Sequence, residues 1–70
     1  MNNETSINYF KNIESACKSV GMNGFDDVMV ILNLMRKKDT TTIRIADEMI
    51  TFTRDENNYY GGNKYMVEIT

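Results

Sequence analysis

Apolar residues early in the chain recur every three or four positions: Ile7, Phe10, Ile13, Cys17 and Val20, with Ala16 beside them. Lys11, Asn12, Glu14, Lys18 and Ser19 fall between. That spacing predicts an amphipathic helix, capped by Thr5 or Ser6 and stopped at Gly21. Residues 1–5 are polar and are expected to fray. A second helix is predicted over "FDDVMVILNLMRKK", with Phe25, Val28, Ile31, Leu32 and Met35 as its inward stripe. Asp26 and Asp27 suit the positive end of its dipole, and Arg36, Lys37 and Lys38 the negative end. Met29, Val30 and Leu34 carry apolar character on round the helix. A small chain has little to cover that extra face, so these three residues are predicted to form an oligomer interface.

From Thr40 the period changes to two. Thr41, Ile43 and Ile45 alternate with Thr42, Arg44 and Ala46; beyond Asp47-Glu48, Ile50 and Phe52 alternate with Met49, Thr51 and Thr53. Threonine, isoleucine and phenylalanine suit strands. A two-residue turn at Asp47-Glu48 would pair Ile45 with Ile50 and Ile43 with Phe52. A last strand runs from Lys64 to Thr70, with Tyr65, Val67 and Ile69 on one face. The predicted fold is a single α+β domain over 1–70. Two helices pack on one face of a three-stranded antiparallel β-meander, in the order ααβββ.

Two signals conflict in the final connection, "RDENNYYGGNKY". Matching every apolar position pairs Ile50 with Ile69, Phe52 with Val67 and Arg54 with Tyr65. A tight turn at Gly61-Gly62 would instead pair Arg54 with Ile69 and waste the apolar face. The connection is therefore predicted to be wide or bulged, with Tyr59 and Tyr60 near its tip. Tyrosine, asparagine and glycine together are the composition of adaptable binding loops. Asn58, Tyr59, Tyr60, Asn63, Lys64, Tyr65 and Arg54 are the predicted partner-binding residues.

Composition narrows the chemistry. Seventy residues bury only about 60% of the surface the unfolded chain exposes, which makes a lone core marginal. One cysteine and no histidine supply neither an intrachain disulfide nor a zinc site. A homo-oligomer, most simply a dimer, or docking on a larger protein is the expected remedy. Without histidine the commonest general base is missing. Cys17 reads as a small core residue. The acid pairs Asp26-Asp27, Asp47-Glu48 and Asp55-Glu56 sit where helix starts and turns favour them. No catalytic residue, metal ligand or cofactor site is assigned, and the chain is expected not to be an enzyme.

A net charge of −2 with mixed signs is the wrong balance for a polyanion binder, so nucleic acid is not the expected partner. The start carries no signal-peptide pattern, no apolar run reaches transmembrane length, and a lone free cysteine fits a reducing, cytoplasmic setting. These features point to a small acidic interaction protein that binds and inhibits or modulates a larger one. Chains of this style are common among phage and mobile-element accessory proteins acting on host systems. One alternative is a homo-oligomer holding a nucleotide-type ligand, with tyrosines stacking on a base and Arg54, Lys64 or Arg44 on a phosphate. Another is a small DNA-binding regulator that uses the basic end of the second helix.

Overall fold

In a computed structural model, which describes residues 5–55 and 61–70, the chain runs through β1 (Ser6–Phe10), α1 (Ile13–Lys18), α2 (Phe25–Leu34), β2 (Thr40–Ile45), β3 (Glu48–Arg54) and β4 (Tyr65–Ile69). The class is α+β, with two helices and a four-stranded antiparallel sheet in the order β1-β4-β3-β2. The predicted ααβββ order with three strands is corrected by β1. The segment "SINYF", predicted as the first turns of a helix, is an edge strand on β4, with Asn8 opposite Val67 and Phe10 opposite Tyr65.

The reason lies in two compatible periods. Ile7 and Phe10 continue the helical spacing of Ile13 backward, but Ile7 and Tyr9 also alternate around Asn8. A short apolar window cannot separate these readings. Pairing with β4 decides it, because β4 otherwise presents an open backbone edge beside Val67, which is 1% exposed. Asn12 then starts the helix. Its Oδ1 accepts the backbone N–H of Ser15 at 2.9 Å, the N-cap geometry asparagine favours.

α1 stops where Gly21 predicts. Gly21 has φ 85°; its N–H donates to Lys18 O at 3.0 Å, and the Met22 N–H donates to Cys17 O at 2.9 Å. This is the Schellman pair, which closes a helix end on a left-handed glycine. Met22 folds back onto the core. α2 ends at Leu34 rather than at Lys38. Met35 leaves the helix with ψ 8°, and its carbonyl accepts a hydrogen bond from the Arg54 guanidinium at 3.1 Å. Arg36, Lys37 and Lys38 therefore lie in the connection to β2.

One face of the sheet carries the core. Ile50, Phe52 and Val67 meet Ile13, Ala16 and Cys17 of α1, with Ile31 and Met35 from the second helical segment. The register of β3 on β4 is the apolar-matching one: Ile50 with Ile69, Phe52 with Val67, Arg54 with Tyr65. Gly61 and Gly62 both have positive φ, at 64° and 93°, and turn the chain just before β4.

The β2–β3 hairpin corrects the predicted turn. Its two turn residues are Ala46 and Asp47, so that Ile43 pairs with Ile50 and Thr41 with Phe52. A shift of two residues leaves every side chain on its predicted face, so face matching alone could not choose between the two registers. Ala46 takes φ 54°, the sign a type II′ turn requires at its first position, where glycine is the usual residue.

Candidate interaction surface

α2 turns Ile31 fully inward, with Val28 and Leu32 half-buried against the core. The rest of its apolar residues point to solvent. Phe25 is 77% exposed, Val30 53%, Leu34 46% and Met29 39%. Three of these are the predicted interface residues, and all three are exposed. Phe25 is the correction. Its spacing places it on the inward stripe, but it is the first residue of the helix, directly after the N-cap Gly24. Periodicity reports the direction around the axis, not whether anything lies beneath that end of the helix.

A groove of about 520 Å³ opens between the two helices beside Phe25. Ile13, Met22, Val28, Met29 and Leu32 form its apolar lining, and Glu14 and Lys18 of α1 edge it with one charge of each sign. The surface is therefore an apolar trough with a mixed-charge rim. Large contiguous apolar patches on a protein surface are commonly covered by a partner.

The predicted loop site divides. Asn58, Tyr59 and Tyr60 lie outside the described residues. The others gather at one end of the sheet. The Asp55 N–H donates to Lys64 O at 2.7 Å, Tyr65 pairs with Arg54, and Lys64 is exposed while Asn63 and Tyr65 are half-buried. Arg54 is turned into the fold. Its Nη2 donates to Met35 O and to Asp39 Oδ1, both at 3.1 Å, and its backbone N–H donates to Asp39 O at 2.7 Å. These contacts tie the end of α2 and the following connection to β3. The ion pair itself contributes little, since Asp39 is 69% exposed and water screens it.

The outer face of the sheet is polar at its centre. Thr42 and Thr51 place their hydroxyls 2.9 Å apart, and Thr40 and Thr53 at 3.4 Å. Ile7 and Tyr9 are exposed on this face, a placement that follows from β1 being a strand and that helical spacing does not predict.

Cys17 is fully buried. Burial pushes its thiol pKa up, and the Asp27 carboxylate adds to the shift, so the sulfur stays protonated and unreactive at neutral pH. Among the described residues, no three His, Cys, Asp or Glu side chains gather as a metal site. No helix among them is long and apolar enough to cross a membrane.

Comparisons with protein-family models, with curated proteins and with solved structures each return no match.

Proposed function

We propose that this chain is a non-catalytic interaction protein that binds a larger protein through its helical layer and modulates it. The observation that carries this reading is Phe25, a large apolar side chain 77% exposed at the mouth of an apolar groove. Leaving such a ring in water forgoes about 2 kcal/mol of burial, and a partner that covers it recovers that energy. Aromatic anchors in desolvated pockets dominate protein interfaces. The groove suits an apolar side chain or a short apolar segment of the partner, with Glu14 and Lys18 meeting the polar rim around it. The absence of histidine from the sequence and the burial of Cys17 favour binding over chemistry.

Capture from a lysate of the source cells, comparing the natural chain with Phe25→Ser and Met22→Ser, tests this. The expected result is one captured protein that the purified chain binds directly, with affinity at least about tenfold weaker for either variant. Binding that is indifferent to both substitutions would refute the assignment.

A further inference from the structure

The exposed face of α2 has a symmetry of its own. With residues about 100° apart around the axis, Asp26 and Asn33 lie on the midline of that face. Met29 and Val30 flank the midline on either side, and Phe25 and Leu34 stand at the two margins. Reversing the helix about the point between Met29 and Val30 exchanges each pair: Phe25 with Leu34, Asp26 with Asn33, Met29 with Val30. All four apolar members are exposed. We infer that this face pairs with the same face of a second copy, the two α2 helices antiparallel about a two-fold axis between Met29 and Val30.

Charge supports the second copy and selects the direction. Asp26 and Asp27 stand in the first turn of α2, and Arg36, Lys37 and Lys38 follow its last. In the antiparallel pair, each acidic end lies within about one helical turn of the partner's basic cluster, inside the reach of arginine and lysine side chains. The helix dipoles also oppose. A parallel pair would set Asp26 and Asp27 against their own copies and repel. At the centre, Met29 and Val30 bury apolar surface against Val30 and Met29 of the partner, while Asp26 and Asn33 can share a hydrogen bond.

This contact overlaps the groove at Phe25 and Met29 but is not the same surface. Val30 and Leu34 do not line the groove, whereas Met22 and Ile13 do. A contact built on one short helix falls below the roughly 800 Å² per partner of a standard interface, so the dimer should dissociate on dilution.

Light scattering on the purified chain across the micromolar range reads the mass. The expected mass rises with concentration from 8.1 kDa toward twice that value. Val30→Asp should hold the chain at monomer mass, and the milder Val30→Ser should weaken the dimer, both with the circular dichroism of the natural chain. Reversing Arg36, Lys37 and Lys38 to Glu should weaken dimerisation about tenfold or more, and adding Asp26→Lys with Asp27→Lys should restore it. A natural chain that stays monomeric throughout overturns the inference, as does a dimer indifferent to Val30→Asp or a charge reversal that the compensating pair fails to rescue. A monomeric chain that still binds a larger protein through Phe25 would overturn the dimer and leave the groove reading intact. Loss of larger-protein binding alone would do the reverse.

Discussion

Phe25 and Phe52 offer a direct comparison, because both are phenylalanines and only one is in the core. Phe52 is 0% exposed and sits between Val67 and Thr41 across the sheet. Truncating it to alanine removes a fully buried ring and leaves a cavity, at a cost of about 3–5 kcal/mol. A domain of this size has in total about 4–10 kcal/mol of stability, so Phe52→Ala should unfold much of the population or come close to it. Phe25, at 77% exposed, has less than a quarter of its surface withdrawn from water. Full burial of such a side chain contributes at most about 3 kcal/mol, so Phe25→Ala should cost no more than about 0.7 kcal/mol. Urea unfolding followed by circular dichroism, at a concentration low enough to keep the chain monomeric, measures both. A loss above about 2 kcal/mol for Phe25→Ala would mean that the ring belongs to the fold, and the groove would lose its anchor.

Three further outcomes follow from the fold. Ala46→Gly should stabilise the chain by about 0.5–1 kcal/mol in urea unfolding. It relieves a left-handed alanine worth about 1–2 kcal/mol and returns part of that as unfolded-state freedom. Arg54→Met should cost about 1–3 kcal/mol in the same assay, through loss of the hydrogen bonds to Met35 and Asp39, while leaving partner capture per folded molecule unchanged. Raising the pH through and above the ordinary thiol range should destabilise the natural chain relative to Cys17→Ala. The raised native pKa means that the unfolded chain releases the Cys17 proton first, so this contribution is intact below that range and is lost as pH rises through the folded value. Urea midpoints for the two chains at neutral and alkaline pH would expose the difference in slope.

The fold was legible where one period dominated. The inward positions Val28, Ile31, Leu32 and Met35, and the alternation of Ile50 with Phe52 and of Val67 with Ile69, follow directly from spacing. The last hairpin obeyed its apolar face over its glycines because burying Phe52 and Val67 outweighs the preference of a turn. β1 was illegible because Ile7 and Phe10 keep the helical spacing while Ile7 and Tyr9 keep that of a strand, and only the need of β4 for a second partner separates the two readings. The Ala46-Asp47 turn was illegible because alanine carries no turn signal and a two-residue slip preserves both faces. In the candidate surface, Met29, Val30 and Leu34 could be read from excess apolarity. Phe25 could not, since its exposure depends on whether another element covers the start of the helix. The pull of Arg54 into the fold depends on where Met35 and Asp39 come to rest, which no local pattern encodes.

The central claim is that the helical layer is the surface by which this protein acts on a larger one. The most direct measurement is the affinity of the captured, purified partner for the natural chain, for Phe25→Ser, and for Tyr9→Ser on the opposite face of the sheet. The account predicts a loss of about tenfold or more for Phe25→Ser and an unchanged affinity for Tyr9→Ser. Equal affinity for the natural chain and Phe25→Ser, or a loss confined to Tyr9→Ser, would contradict it.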